Sequence, residues 1–572
     1  MKSKKIAVAL ALAMSVAMVL TACGNQSTTV TKQDLTKSST QVISATKPSA
    51  NTALAKNRKD TLVVGNMDPS GTVNPITVST AYDQYLIELQ FNGMLYDDEK
   101  GNPKGDLAKS WDVSSDGLTY TFHLRDDVKF TDGTKLTADD VAFTFTAASD
   151  PSYDGQLGSY MAWIKGYNDY NQGSATSLSG ITVKDPTTIS ITLNEKNASV
   201  TRSLFGTGII SKKYYAFNKG DFKKVHDLDL KPMGTGPYKL TVFKPGQEEN
   251  LVRNDNYYKG KPKIKNIVCI KTDATTNVQK LEKGETDIDA VGCKPATIDP
   301  LKKAGFLDLQ IFSDLGYDYI GLNLKDPLFQ DKNVRQALAY GLNRKGFIES
   351  YFKGYAQVGN EPFSPVQWAY SNDVNQYAYN PTKAGKLLDG AGWKLNSKDG
   401  FRYKDGKKFT FTFLYADGGK YYPALVAVMK DNYKKIGIDL QLVSLDFKTL
   451  NNKIDLANGK RDYQAYTMSW ALTADPDSTQ IFDSSQDVTG GSNYVSFHNA
   501  ESDKLLKQGL AELDQNKRKI IYQKWAKLIN DECPYIFLSQ TKDLWVVNSR
   551  VKGVKLGSYA DWTTNIQNYE LK

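Results

Sequence analysis

Cysteine and histidine are scarce in this chain: 4 and 3 copies in 572 residues. So few soft ligands exclude a multi-metal protein and a disulfide-stapled scaffold. The 19 prolines and 43 glycines follow no period, which excludes a collagen-like array. No internal repeat is visible, which argues against an adhesin or scaffold built of stacked modules. No apolar run reaches the roughly 20 residues of a membrane span, and a mean hydropathy of −0.46 excludes a polytopic membrane protein. No Gly-x-Ser-x-Gly or His-Glu-x-x-His segment occurs, and His123, His226 and His498 lie far apart, so a surface hydrolase lacks its signatures and no enzyme is expected. No dense Lys/Arg stripe with interleaved aromatics occurs, so no nucleic-acid partner is expected.

What is present is an ordinary globular composition, 40% hydrophobic and 24% charged, long enough for two to four domains or lobes. Tyrosine is abundant, 33 beside 23 Phe and 8 Trp. That suits either a broad amphipathic recognition surface or many cores with polar handles. Basic residues exceed acidic ones by nine, or by six once Lys2, Lys4 and Lys5 are removed, a mild bias that suits an anionic membrane or wall surface.

The N-terminus reads as an address. Residues 1–5 are basic and residues 6–20 apolar, about 15 residues and too short to span a bilayer. They precede Leu20-Thr21-Ala22-Cys23-Gly24. This resembles a bacterial lipobox, which implies cleavage after residue 22 and fatty acylation (palmitate-type chains) of the Cys23 thiol. An ordinary signal peptide that happens to contain a cysteine is the alternative. Residues 23–59, rich in Ser, Thr, Lys, Gln and Ala, are expected to be a flexible tether. At about 5–6 Å × √n such a tether reaches some 30–35 Å. Three cysteines remain, Cys269, Cys293 and Cys533, so either Cys269 and Cys293 pair or all three are buried thiols.

Beyond residue 60 strands and helices alternate. Period-two alternation predicts strands at 118–125 and 187–193, and apolar runs predict strands at 61–65, 236–242, 264–270, 409–415 and 438–444. Thr137 with Asp140 is a capping box ahead of a helix. A helix at 274–283 between strands 264–270 and 287–291 makes a βαβ-like unit. Val334, Ala337, Leu338, Gly341 and Leu342 fall on one helical face and predict a helix over 331–352 capped by Asp331. Pro381 opens another helix, and further helices are predicted at 422–435 and, in two pieces, 503–529. The fold class is mixed α/β.

Several ordered segments then carry a resemblance. Gly105-Asp106-Leu107-Ala108-Lys109-Ser110-Trp111, residues 115–125, Val128-Lys129-Phe130-Thr131-Asp132-Gly133 and residues 136–141 resemble the family-5 extracellular solute-binding proteins. Further matches are Gly234-Thr235-Gly236-Pro237-Tyr238, Arg253-Asn254-Asp255-Asn256-Tyr257-Tyr258, residues 281–289, 327–338 and 387–393, and Asn493-Tyr494. They run in order from about 60 to 540. The resemblance implies a two-lobed periplasmic-binding-protein-like fold that closes on its hinge. Lobe I would comprise 60–91, 209–315 and 540–572, with a subdomain inserted at 92–208, and lobe II would span 316–539. Strands crossing near 315 and 540 would form the hinge.

The same resemblance implies a monomeric importer component that captures short peptides and hands them to an ABC permease with its ATPase subunits, and it implies no cofactor. Oligosaccharide, nickel or haem on the same fold are the alternatives. Peptide backbone would pair with an exposed strand on each lobe, at Ser79, Thr80 and Ala81 and at Ser469, Trp470 and Ala471. Many family members place an aspartate three residues after the matching tryptophan to hold the peptide ammonium. Here that position is Thr473, and Asp475 or Asp477 either takes the role or serves as a turn or cap residue. Phe447 and Tyr160 are candidate pocket walls, with Tyr153, Tyr317 and Tyr319 behind them.

Overall fold

Strand Thr61–Asn66 forms because Leu62, Val63 and Val64 are all buried. It lies between strands Asn266–Lys271 and Ile288–Gly292 and runs parallel to both. Helix Asn277–Glu282 connects these two neighbours, which completes the βαβ unit. Antiparallel strands Tyr238–Lys244 and Glu248–Arg253 extend one side. On the other side lie Ser539–Asn548, Leu307–Ser313 and Gln41–Ile43, with Ala356–Val358 on the first residues of Ser539–Asn548, for nine strands in all. The computed structural model describes residues 40–66, 68–78, 80–456 and 459–572. Cys23 and Ser79 lie outside the described residues.

A second, five-stranded sheet runs in the order Asp439–Leu445, Thr410–Ala416, Ala465–Ala471, Gly316–Leu322 and Tyr535–Phe537. A third sheet, of four antiparallel strands, is drawn wholly from residues 108–192. Only Asp314 and Leu315 separate Leu307–Ser313 of the first sheet from Gly316–Leu322 of the second, and only Leu538 separates Tyr535–Phe537 from Ser539–Asn548. The Asp314 amide donates to the Thr541 carbonyl at 3.0 Å and the Leu538 amide to the Asp318 carbonyl at 2.7 Å, so the two crossings lie side by side.

Local signals decide several elements. Thr137 and Asp140 form the capping box of helix Ala138–Ala147. The helix expected over 331–352 is two helices, Lys332–Gly341 and Arg344–Phe352. Leu342 turns extended, and the Asn343 side chain accepts from the Gly346 amide to start the second helix, so a local side-chain bond interrupts the apolar period. The tether expected over 23–59 is corrected in its second half. Gln41–Ile43 pairs with Leu307–Ser313, and Thr52 caps helix Ala53–Asn57, on which Ala55 is fully buried. Cys269, Cys293 and Cys533 are free, buried thiols.

Glu249 is a carboxyl buried inside the first sheet. It is 2% exposed, stands opposite Cys269, and its Oε2 has no hydrogen-bond partner. Burial, reinforced by the charges of Asp68 and Asp83, pushes its carboxyl up to about 8. A carboxyl raised in the folded state favours folding below its unfolded value and loses that contribution as pH rises through the folded value. Stability should therefore fall between about pH 4.5 and pH 8 by a few kcal/mol from this residue. Glu249→Gln should flatten that slope in urea unfolding measured across the range; an unchanged slope would show that Glu249 is not its source.

Candidate ligand-binding site

Strand Ala465–Ala471 is paired along its whole length on one side, where Gly316–Leu322 runs antiparallel from Gly316 opposite Ala471 to Leu322 opposite Ala465. On its other side Thr410–Ala416 meets only Ala465 and Tyr466. Residues 467–471 therefore present an open edge. The Leu472 amide donates to the Leu315 carbonyl at 2.8 Å, and Asn323 donates to Gln464, so the even-numbered residues point their backbone groups at the paired strand. Alternation then turns the N–H and C=O groups of Thr467, Ser469 and Ala471 to the open side. Ser469 and Ala471 are exposed there.

The side chains of this strand are held from behind. Thr467 Oγ1 donates to the Tyr319 carbonyl at 2.9 Å, and Ser469 Oγ donates to Asp318. Trp470 is half-buried between two rings nearly parallel to it, Tyr319 at 6.3 Å and Tyr494 at 5.7 Å, and its indole N–H reaches Tyr535 Oη at 3.3 Å. It packs partly buried against the core, while Tyr317 and Tyr319 lie within it, 2% and 0% exposed.

The other expected strand segment is corrected. Thr80 is the N-cap of helix Ala81–Glu88, accepting from the Asp83 amide at 3.1 Å, and Ala81 is the first helical residue, so neither belongs to a strand. Asp83 fixes the turn before the helix by accepting from Ser70 and from the Gly71 amide. Phe447 opens helix Phe447–Ile454 and is 63% exposed. Tyr160 packs on Trp163 at 4.9 Å, and Tyr153 donates to the Ile76 carbonyl.

Asp475 does not hold a free ammonium site. It is 2% exposed and already engaged. Arg518 donates to both carboxylate oxygens at 2.8 Å, Arg202 to Oδ2 at 3.3 Å and Ser199 Oγ to Oδ1 at 3.1 Å. Burial raises its carboxyl, but the charge and hydrogen bonds of Arg518, with the Arg202 charge and the Asp477 amide, together outweigh this and leave it below the ordinary carboxylate value. Asp477 is a turn residue: its amide donates to Asp475 and its Oδ1 accepts from Thr479. Burial pushes its carboxyl up to about 6, partly offset by Thr479. Thr473 is exposed and donates to the Asp475 carbonyl at 2.9 Å.

Sequence reading missed the partners that settle this role. Arg202 and Ser199 follow the third sheet in the chain, Arg518 lies on helix Gln515–Glu532, and the Ala198 amide donates to the Leu510 carbonyl at 2.8 Å. No spacing rule connects positions 43 and 273 residues apart. The cap at Thr80 carried a local signal, Thr80-x-x-Asp83, which the expected strand assignment passed over.

Because a buried aspartate bridges two arginines, removing it strands charge. Asp475→Ala should lower stability by roughly 3–5 kcal/mol, and the Asp475–Arg518 double-mutant cycle should show strong coupling. Asp475→Asn should leave the affinity ratio between free and N-acetylated peptides unchanged in calorimetry. A ratio that collapses would return Asp475 to the ammonium role.

Comparison with known proteins agrees with this architecture. The model of bacterial extracellular solute-binding proteins, family 5, matches residues 102–493. Oligopeptide-binding protein AppA of Bacillus subtilis is 32% identical over 499 residues, covering 86% of this chain and 88% of its own. Heme-binding protein A of Haemophilus influenzae is 29% identical over 463 residues, covering 78% and 80%. The solved structure of the Bacillus subtilis AppA in complex with a nonapeptide superposes with a TM-score of 0.78 at 29% identity, over 90% of this chain and 99% of that one. Two lobes, sheets joined by paired crossings and a family match over most of the chain lead to one conclusion: this protein belongs to the family-5 bacterial extracellular solute-binding proteins.

Proposed function

We propose that the protein is the peptide-capturing component of an ABC importer, acting as a monomer that closes on its ligand and delivers it to a membrane permease and its ATPase subunits. The observation that carries this reading is the open edge at 467–471. An extended peptide laid along it would be held by backbone hydrogen bonds that ignore side-chain identity. The Bacillus subtilis relative binds oligopeptides by its name, and its superposed structure holds a nonapeptide, which supports the same reading.

The paired crossings at 314–315 and 538 are the elements on which two lobes would turn. In this proposal residues 60–91, 209–315 and 540–572 make one lobe, 92–208 its inserted subdomain and 316–539 the other. The lipobox at Cys23 supports an extracytoplasmic position on the cell membrane, with two or three acyl chains giving a firm anchor. Among the described residues no helix is long and apolar enough to cross a membrane.

Calorimetry with mixed peptides of two to ten residues should show binding. Silence there, with heat from an oligosaccharide instead, would replace the peptide reading. Cys23→Ala should move the protein from the membrane to the soluble fraction and leave peptide affinity within about twofold. Retention on the membrane would remove the anchor assignment.

A further inference from the structure

Beside the hinge, the first sheet carries a cavity that the backbone-pairing edge does not explain. It measures about 260 Å³ and is lined by Asn66, Tyr82, Tyr85, Asp289, Asp543 and Trp545 among others. It opens at the carboxyl ends of the parallel strands Thr61–Asn66 and Ile288–Gly292, where sheets of this kind place their ligands.

The polar groups around it are acceptors short of donors. Asp289 is 3% exposed; its Oδ1 accepts from Thr272 at 3.3 Å, while Oδ2 has no partner. Asn66, also 3% exposed, leaves its Oδ1 unpartnered. The Asp289 carboxylate lies over Gly65, where any Cβ would come within 2.1 Å of Oδ2, so glycine is required for this placement. Asp543 lines both this cavity and an adjoining one of about 510 Å³, which it shares with Glu88, Asp314 and Asp561. Like charge from Asp543 adds to burial in raising Asp314. Burial holds Asp289 up at about 7 and Asp543 at about 6, values a bound cation would lower. Lys280 lowers the Asp289 carboxyl only slightly and donates its own Nζ to the Lys271 carbonyl at 3.1 Å.

The remaining walls are aromatic. Tyr85 meets Trp545 edge-on at 6.2 Å, and Tyr82 stands one turn earlier on the same helix. Aromatic rings beside an unpartnered carboxylate oxygen and an unpartnered amide oxygen suit an organic cation, which gains from both. A metal ion fits less well, because no cluster of three ligating side chains exists among the described residues.

We propose that this cavity is a subsite for a lysine or arginine side chain of the captured peptide, so that the protein selects basic peptides. The proposal rests on the peptide reading above and adds a side-chain preference to an otherwise sequence-blind grip. The test is calorimetry on the purified protein with alanine pentapeptides carrying one lysine, moved through each position in turn, each matched to its norleucine counterpart. At one position lysine should bind roughly tenfold or more tighter than norleucine at low salt. Asp289→Asn and Asp543→Asn, each checked for folding by its thermal midpoint, should bring that ratio close to one. Two substitutions at separate strands keep the test usable if one fails to fold. Equal affinities for lysine and norleucine at every position, or a preference that survives both substitutions, would overturn the subsite and leave the peptide reading standing. No binding by any peptide would overturn both.

Discussion

Strand Ser539–Asn548 is the constraint on which the rest of the molecule depends. It is paired on both sides, with Ile288–Gly292 and with Leu307–Ser313, and eight of its ten residues are buried. Its first residues also hold Ala356–Val358. Because Leu307–Ser313 runs antiparallel beside it, the outgoing and returning crossings between the two sheets are forced to the same end. That places Asp314 and Asp543 near one another, and it places Gly316, opposite Ala471, within two residues of the first sheet. One strand pairing thus sets both the crossing between the sheets and the acidic groups beside it.

The buried Asp475 network belongs to the same arrangement from the other side. Arg202 donates to Asp97, to Asp475 and to the Gly101 carbonyl, so one guanidinium ties the segment after the third sheet to the loop following the open edge. Arg518 adds a bond to the Gly509 carbonyl at 2.9 Å. A charge pair this well hydrogen-bonded and this dry fixes geometry more than it adds stability, since much of its attraction is spent on desolvation.

Much of the fold was legible because its signals are local. Alternation at 118–125 reports one buried face, and Thr137 with Asp140 reports a helix start, whatever the rest of the chain does. Legibility failed where partners are distant or elements short. Gln41–Ile43 is three residues without a period, and only pairing with Leu307–Ser313 makes it a strand. The Lys332–Gly341 helix ends because Asn343 bonds locally, a competition that an apolar count does not register. The family pattern pointed to Ser469, Trp470 and Ala471, and these lie on a strand with an open edge. It did not show which aspartate is free, because Arg518 and Arg202 come from elsewhere in the chain. The cavity lined by Asn66, Asp289 and Asp543 left no trace in any one segment, since three strands contribute one side chain each.

The brevity of the open edge has a consequence for what can be held. Only Thr467, Ser469 and Ala471 turn their backbone groups outward, so an occupant gains at most six main-chain hydrogen bonds from this lobe. At a net 0.5–1.5 kcal/mol each, these contribute about 3–9 kcal/mol, comparable with the roughly 4–15 kcal/mol lost in immobilising a ligand. Main-chain recognition here can therefore orient an occupant and tolerate any length that overhangs the edge. The surplus that makes a complex last must come from surfaces beyond the strand, and selectivity among occupants becomes a property of those surfaces.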